Sequence, residues 1–432
     1  MARSRRALSQ AVSRGLLTGV AVLVIGACAS ACGSSSSSST AASGSSGSGS
    51  GSSSSDSSSS GGGPVKIGAT FSLSGPLAAV GAPYEVAFNA AIKYINGHGG
   101  VLGGRKLEGI VLDDKGDATQ AAATARELTS DGVSAIVADP SSPAFLPQAP
   151  IFDGAKIPVV TGNTAPSSSD PKQDPYVFTI YGTPEDSGNA VADYAIKTRG
   201  LKKVAIIYEN SAYGNNEYAA TKPAITAAGG TVVSSQSFQT GATSVVSQMN
   251  QLKASGANVL VMWTYGAGAV SVMQAETAAN WHPVTVGPYY IGSDPGFRSA
   301  VGSSGLKNVF GADGGAPLSM LYSGSQTPSA RSAPYRESLA GFTGDPIGGI
   351  IIFDGVEIVA QAIDKAGSTS PAAVKAAIES GTPFKGIRQD YTFSPTVHHS
   401  FDISSSGAFG GSGTCDVQKG CEAAPGVSLS GS

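Results

Sequence analysis

The sequence predicts an α/β fold with two lobes, each a mostly parallel sheet flanked by helices. Residues 65–112 show an apolar strand, an amphipathic helix closed by glycines and a second apolar strand. A strand–helix–strand unit of this length is typical of the right-handed crossover of a parallel sheet. Two series of such units continue to about residue 291, without obvious sequence repetition between them. We therefore expect two α/β lobes, for which the 432 residues have room.

The first 32 residues have the pattern of an export signal. An Arg-rich start is followed by an apolar run at 16–25, too short for a lasting transmembrane helix, and then by small residues. The stretch IGACASACG resembles a bacterial lipobox, in which cleavage precedes a lipid-bearing cysteine. Cys28 has the better apolar residue three positions upstream, and Cys32 precedes a Gly-Ser run, so both are candidates. The prediction is a lipid anchor on the outer face of the cell membrane, with plain secretion as the alternative.

Residues 33–63 are almost entirely Ser and Gly, a composition typical of a flexible tether. Loss of the four signal-segment arginines would take the formal net charge from −3 to about −7, which is mildly acidic. The sequence has no basic stripe with interleaved aromatic residues, so we expect no nucleic-acid partner.

Two cysteines, Cys415 and Cys421, remain in the exported body. In an oxidising compartment we expect them to pair and to close a small loop near the C-terminus. A zinc site is the alternative, but no cluster of Cys or His completes one. We expect neither a metal nor a cofactor.

Strands of the first series are predicted from apolar stretches, and helices from apolar residues at helical spacing. The predicted strands are 65–73, 107–112, 134–138, 157–160 and 177–181. Helices are predicted to start at about Pro83, a residue suited to a first helical turn, at residue 118 and after Pro143. The strands end in small and hydroxyl residues, and ligands gather beyond the carboxyl ends of strands in open parallel sheets.

The second series repeats this architecture and is followed by a more helical segment. Its predicted strands are 204–208, 231–234, 259–263 and 284–291, and its predicted helices are 186–199, 217–228, 245–254 and 267–279. Helices at 335–342, 351–366 and 371–380 follow, and short strands are predicted from Phe384 onward. The adjacent pair His398 and His399 is poorly placed to chelate one metal and is expected to be solvated.

Several short motifs occur in the order seen in one known family. They are Ser74-Gly75-Pro76, Ile95-Asn96 with Gly99-Gly100, Gly103-Gly104, Asp113-Asp114, Thr164-Ala165-Pro166 and Tyr213-Gly214. With them, residues 65–400 resemble the leucine/isoleucine/valine-binding proteins, the extracellular substrate-binding proteins of branched-chain amino-acid-type ABC transporters.

The resemblance implies a type I periplasmic-binding fold, in which three hinge crossovers join two lobes and the ligand binds in the cleft. Lobe one would comprise 64–182 and 314–387, and lobe two 183–313 and 388–432. The implied partners are a small-molecule ligand and ABC permease subunits, and a monomer is expected.

The resemblance also implies which residues contact the ligand. The matching positions are Ser141 or Ser142, Gly162 or Asn163, Thr164, Tyr213 and Tyr265. Hydroxyls and free backbone N–H groups at strand ends and helix starts bind a carboxylate without a full counter-charge. Tyrosines of the opposite lobe would cover the ligand with apolar area while keeping a polar tip.

Two positions depart from the family pattern. Tyr289 follows Gly287-Pro288 where the family has the acid that pairs with a ligand ammonium, and Val80 stands in place of an aromatic residue. An unpaired buried ammonium is costly, although Asp294 or Glu209 could substitute for the missing acid. The expected ligand is thus a small amino acid, carboxylate or amide. Tyr289 is itself expected to contact the ligand, and it motivates the narrower hypothesis of an uncharged or anionic solute.

Catalytic signals are lacking, so the protein is not expected to be an enzyme. The sequence has no Gly-x-Ser-x-Gly elbow between a strand and a helix, no Cys nucleophile outside the signal and tail, and no His among the strand-end loops. The alternative to transport is a ligand sensor that presents the closed fold to a receptor or kinase.

Overall fold

The computed structural model describes residues 62–325 and 327–429. The predicted signal, with the candidate lipidation sites Cys28 and Cys32, and the predicted tether up to residue 61 lie outside the described residues.

Short strands and helices alternate along most of the described chain. The strands are β1 (Val65–Phe71), β2 (Leu107–Asp113), β3 (Ile136–Ala138), β4 (Val159–Thr161), β5 (Val177–Thr179), β6 (Lys203–Glu209), β7 (Thr231–Phe238), β8 (Val259–Trp263), β9 (Val284–Gly287), β10 (Val309–Pro317), β11 (Leu321–Tyr322), β12 (Phe384–Lys385), β13 (Asp390–Tyr391), β14 (Ser406–Gly410), β15 (Cys415–Asp416) and β16 (Gly420–Glu422). The helices are α1 (Ala78–Gly97), α2 (Ala118–Ser130), α3 (Ser142–Phe145), α4 (Ala149–Ala155), α5 (Pro184–Ala192), α6 (Ala212–Ala227), α7 (Val246–Ala254), α8 (Gly266–Ala278), α9 (Tyr290–Ser293), α10 (Pro295–Gly305), α11 (Ala333–Ser338), α12 (Gly348–Ala366) and α13 (Pro371–Ile378).

Two sheets form the two lobes, and the predicted α/β class is confirmed. The first sheet has the order β2-β1-β3-β4-β5 and is parallel throughout. The second has the order β14-β10-β9-β8-β6-β7 and is parallel except for the edge pair of β10 with β14. Parallel strands require long crossover connections, and helices supply most of them here.

The chain passes between the lobes at three places. It goes from β5 to β6, returns after β10 to α12, which packs against α1 and β4, and reaches the second sheet again at β14. Gly314 and Gly315 lie in β10 at the second passage, both with positive φ. A Cβ at Gly315 would lie 2.1 Å from the carbonyl oxygen of Gly407, so only glycine fits this close approach. The residue limits predicted for the lobes stay a prediction.

Local sequence explains why several helices begin at the strand ends. Asp117 caps α2 by accepting hydrogen bonds from the N–H groups of Thr119 and Gln120. Thr183 and Asp186 form a capping box at the start of α5. These caps fix helix starts near the carboxyl ends of the strands, where the candidate site lies.

Helix α1 begins at Ala78, before the predicted start at Pro83. Gly81 makes this possible, because a Cβ there would lie 2.1 Å from the carbonyl oxygen of Ser72. Pro83 then lies in the second turn, where its missing N–H removes one intrahelical hydrogen bond.

Strand β9 ends at Gly287, so the predicted strand 284–291 is too long. Pro288 has no N–H for the sheet and ends the strand. Tyr289 and Tyr290 therefore belong to a helical turn.

His398 is buried, so the prediction that it is solvated was wrong. Its Nδ1 lies 3.0 Å from the carbonyl oxygen of Val177, and its Nε2 lies 2.9 Å from a carboxylate oxygen of Glu379. Both ring nitrogens have partners, which permits burial. That burial lowers the pKa of His398.

The C-terminal segment contains the predicted disulfide between Cys415 and Cys421. The two cysteines lie opposite each other in the antiparallel pair of β15 and β16. None of the helices within the described residues combines the length and apolar character needed to cross a membrane.

Candidate ligand-binding cleft

A cleft of about 570 Å³ lies between the lobes at the carboxyl ends of strands from both sheets. This volume falls within the range of small-molecule binding sites. Of the positions predicted to contact ligand, the structure brings Ser141, Ser142, Gly162, Thr164, Tyr213, Tyr265 and Tyr289 into the lining.

The lobe-one wall is built by the loops after β3 and β4. A buried carboxylate, Asp139, organises the first loop: its Oδ1 accepts a hydrogen bond of 2.7 Å from the N–H of Ser141. Its Oδ2 accepts hydrogen bonds from the N–H (2.9 Å) and the hydroxyl (2.8 Å) of Ser72. The second loop brings Gly162 and Thr164 to the same wall. The wall therefore offers backbone and hydroxyl groups on a fixed frame.

Two acids share the hydroxyl of Ser72. Its Oγ lies 2.7 Å from Asp114 Oδ1 and 2.8 Å from Asp139 Oδ2. One hydroxyl proton cannot serve both oxygens, so both contacts are hydrogen bonds only when one carboxyl is protonated. Burial, together with the charge of Asp114, raises the pKa of Asp139 to about 7.

Asn163 does not reach the cleft lining. Its Nδ2 donates to the carbonyl oxygen of Pro140 (3.0 Å) and to Ser142 Oγ (3.1 Å). Its Oδ1 accepts from the N–H of Ala165 and the hydroxyl of Ser168, both at 2.9 Å. The amide therefore holds the two loops together, and Gly162 is the member of the predicted pair that faces the cleft.

Five tyrosines form an aromatic surface that we call the tyrosine wall: Tyr84, Tyr181, Tyr213, Tyr265 and Tyr289. Neighbouring ring centroids are 5.0 Å apart for Tyr213 and Tyr265, and 6.2 Å apart for Tyr265 and Tyr289 and for Tyr181 and Tyr289. Burial raises the pKa of Tyr213, Tyr265 and Tyr289 well above the usual range. These phenols are therefore neutral, and they present ring faces and hydroxyl groups to the cleft.

A hydrogen bond within the tyrosine wall joins the lobes. The hydroxyls of Tyr84 on α1 and Tyr289 after β9 are 3.0 Å apart. Tyr289 therefore contacts lobe one directly, at the position where the resemblance implied an acid.

Several lining residues were not predicted as ligand contacts. Among them are Glu209 and the loop after β7, from Thr240 to Thr243. The sequence suggests Glu209 only as a substitute acid, together with Asp294. Asp294 instead caps α10 by accepting from the N–H of Phe297 and does not line the cleft. A Thr- and Gly-rich loop has the same composition whether or not it faces a ligand, so nothing in the sequence distinguishes it.

Two lobes around a cleft of hydroxyls, backbone amides and phenols define a two-lobed solute-binding protein. Within residues 62–325 and 327–429, no group of three His, Cys, Asp or Glu side chains could hold a metal ion.

Comparison with known proteins identifies the family. The model of the periplasmic binding protein family matches residues 64–402. The chain belongs to this family, whose members are substrate-binding proteins rather than enzymes. Membership supports a solute-binding role and export.

Two relatives illustrate the similarity in sequence. The Leu/Ile/Val-binding protein homolog 3 of Brucella melitensis is 27% identical over 354 residues, covering 78% of this chain and 90% of the relative. The leucine-, isoleucine-, valine-, threonine- and alanine-binding protein of Pseudomonas aeruginosa is 23% identical over 321 residues, covering 74% and 83%.

Solved structures share the fold. The branched-chain amino acid transporter substrate binding protein LivJ of Streptococcus pneumoniae, in complex with isoleucine, has a TM-score of 0.70 at 20% identity, with 84% of this chain and 99% of LivJ covered. A periplasmic binding protein type 1 from Bordetella pertussis has a TM-score of 0.71 at 20% identity, with 84% and 100% covered. The type I periplasmic-binding fold is thus confirmed.

Proposed function

We propose that the protein is the solute-binding lipoprotein of a branched-chain amino-acid-type ABC importer. It binds a small amino acid, carboxylate or amide in the cleft and delivers it to membrane permease subunits. The observation that carries the proposal is a single cleft lined by hydroxyl and amide groups of lobe one and by tyrosines of lobe two. The relatives named for leucine, isoleucine and valine binding support the transport class.

Ligand binding follows from the two-sided lining. The solute first contacts Ser141, Ser142 and Thr164 of lobe one, and closure then brings Tyr213 and Tyr265 over it. Only the closed form contacts the solute from both lobes, so ligand shifts the equilibrium between open and closed forms toward closure. The permease recognises the closed form. A thermal-shift screen of amino acids, carboxylates and amides tests the proposal, and no stabilisation by any of these classes would contradict it.

Replacing Tyr213 with alanine is expected to weaken ligand binding by about tenfold or more, the effect of losing one buried aromatic contact. Calorimetric titration with a solute from the screen measures this change. Tyr218→Ala is the matched control, because Tyr218 lies on the same helix but stacks on Tyr208 outside the cleft. An unchanged dissociation constant for Tyr213→Ala would remove Tyr213 from the site.

The lipid anchor has its own test. Cells producing the Cys28→Ala or the Cys32→Ala variant are fractionated, and mass spectrometry of the wild-type N-terminus identifies the modified cysteine. We expect one of the two variants to leave the membrane fraction. Retention of wild-type protein in the soluble fraction, with neither cysteine modified, would favour plain secretion.

A further inference from the structure

Glu217 is a buried acid that the binding mechanism above does not use. It lies in the second turn of α6 and is 0% exposed. Among the described residues, neither of its carboxyl oxygens has a hydrogen-bond partner, and Glu217 takes part in none of the ion pairs. Burial of an ionised carboxylate without partners costs far more free energy than burial of the protonated acid. Glu217 is therefore neutral in this structure.

Side chains from both lobes surround the Glu217 carboxyl. The hydroxyl of Ser187 on α5 approaches it from lobe two and that of Thr164 from lobe one, and neither meets the geometry of a hydrogen bond. Helix α3 of lobe one also contacts α6. Separation of the lobes would withdraw Thr164 and α3 from this helix. Water would then reach the carboxyl of Glu217.

The hydroxyls near Glu217 have unused hydrogen-bonding capacity. Tyr213 and Thr221 lie one turn before and one turn after Glu217 on α6, and their hydroxyl oxygens are buried without a partner. The same holds for Oγ of Ser187. In the part of the chain that the structure describes, no donor is thus placed to stabilise an ionised carboxylate at Glu217.

The charges around Glu217 also favour its protonated form. The titratable side chains that interact with it are Asp313 on β10, Glu185 on α5, Tyr213 on α6 and Tyr181 after β5. Burial, together with the charges of Asp313 and Glu185, raises the pKa of Glu217 well above its usual range, although Thr164 and Ser187 offset part of the effect. Arg388 lowers the pKa of Asp313 but forms no ion pair with Glu217.

We infer that closure of the lobes on a solute is coupled to the uptake of one proton by Glu217. In the open form water solvates the carboxyl, which ionises like an ordinary glutamate. In the closed form the carboxyl is sealed between the lobes and holds the proton. This inference rests on the proposed function, because closure on a solute is part of that function. The coupling makes solute capture tighter when the medium outside the cell is acidic.

The direction of the pH effect follows from the proton held by the closed form. An ordinary glutamate has a pKa of about 4.3, and sealed Glu217 has a higher one. Between these two values closure consumes a proton, so the closed form loses its advantage as the pH rises. Uptake of one full proton corresponds to about a tenfold change in the dissociation constant for each pH unit.

Calorimetric titration of the purified exported protein tests the coupling. The probes are leucine, benzoate and acetamide, one for each proposed solute class, and they keep their own charge between pH 6 and pH 8. At pH 7 each titration is run in PIPES and in MOPS, whose ionisation enthalpies differ, so the difference in heat gives the number of protons taken up. We expect at least half a proton for each solute bound, and an affinity that falls at least tenfold from pH 6 to pH 8.

The variant Glu217→Gln tests the residue itself, with Glu217→Met as a second neutral variant. Glutamine keeps the shape and does not titrate, so at least half of the proton uptake should disappear. Glu185→Gln is the matched control, because this neighbouring acid is exposed and should leave the uptake unchanged. Asp139 also titrates in the lobe-one wall, so Asp139→Asn is measured first to determine its share of the uptake.

The outcomes separate the inference from the proposed function. Binding without proton uptake in wild type, or uptake that persists undiminished in the neutral Glu217 variants, overturns the inference and leaves solute binding intact. An affinity that depends on the Na⁺ concentration at constant ionic strength, without proton uptake, also overturns it, because a cation then neutralises Glu217.

Binding of none of the probes, or of any other solute in the screen, contradicts the proposed function, and small-angle X-ray scattering of the solute-free protein then decides the inference. Protonation of Glu217 should make wild type more compact at pH 5 than at pH 8, whereas Glu217→Gln should not respond to pH. An equal radius of gyration of wild type at both pH values overturns the coupling.

Discussion

Replacing Arg388 with methionine is expected to lower the free energy of unfolding by about 1–3 kcal/mol, the cost of leaving buried hydrogen-bond acceptors without a donor. Arg388 is 3% exposed. Its Nη1 donates to the carbonyl oxygen of Gly314 at 3.0 Å and to Ser406 Oγ at 2.6 Å. Methionine fills part of the volume but leaves these buried acceptors without a donor, which costs their desolvation.

The position of Arg388 between the two lobes explains why its loss should destabilise the protein. The guanidinium carbon lies 5.2 Å from the ring centroid of Tyr181, just after β5 at the first passage between the lobes. Gly314 belongs to β10 at the second passage, and Ser406 starts β14 at the third. One side chain thus contacts all three places where the chain passes between the lobes. The variant is expected to loosen the hinge as well as the fold.

Guanidinium chloride unfolding of wild type, Arg388→Met and Arg388→Lys measures the effect. Lysine keeps the charge but lacks the planar set of donors, so it should recover only part of the stability. Arg126→Met is the matched control, because the exposed Arg126 donates only to a carbonyl of its own helix. A loss of stability in Arg388→Met no greater than in the control would show that the hinge does not depend on this contact.

The fold could be predicted because its signals are local. Apolar residues at every second position predict β1, and Val65, Ile67, Ala69 and Phe71 are all buried in the structure. Glycines predict the ends of the helices between strands. Strand ends in turn indicate where a cleft forms, which is why the predicted Thr164 lies in the lining. Periodicity and turn chemistry are properties of neighbouring residues, so the sequence displays them directly.

The remaining features depend on contacts between distant residues. The amide of Asn163 could face a ligand or join two loops, and the sequence does not distinguish these roles. Its hydrogen bond to the carbonyl oxygen of Pro140 gives it the second role. His398 is buried because Val177, 221 residues away, supplies a carbonyl partner. The carboxylate of Glu209 accepts hydrogen bonds from Thr240 and Thr264, which follow two other strands. No local pattern encodes these partners.

Replacing Glu276 with glutamine is expected to change the pH dependence of stability. Glu276 lies on α8 with 3% exposure, and Thr285 Oγ1 on β9 donates to its Oε1. Burial, partly offset by this hydrogen bond, raises the pKa of Glu276 to about 8. In the unfolded chain the pKa of a glutamate is about 4.3.

The direction in which stability changes with pH depends on which state, folded or unfolded, holds the proton of Glu276. Between about pH 4.5 and 8 the folded protein keeps the proton of Glu276 and the unfolded chain has lost it, so stability falls as the pH rises. The slope is about 1.4 kcal/mol for each pH unit in this window. Glutamine does not titrate and keeps an oxygen for Thr285. The variant should therefore gain stability relative to wild type with each step from pH 5 to pH 8.

Denaturant unfolding at pH 5, 6, 7 and 8 measures this difference, with Glu127→Gln as the exposed control whose offset should not vary with pH. A constant difference between Glu276→Gln and wild type would contradict the protonated state of Glu276. Because Glu276 does not line the cleft, this variant removes one titrating group without changing the groups that face the ligand. A pH dependence of ligand affinity that persists in Glu276→Gln must arise from other groups, and Asp139, with its pKa raised to about 7 in the lobe-one wall, is the first to test.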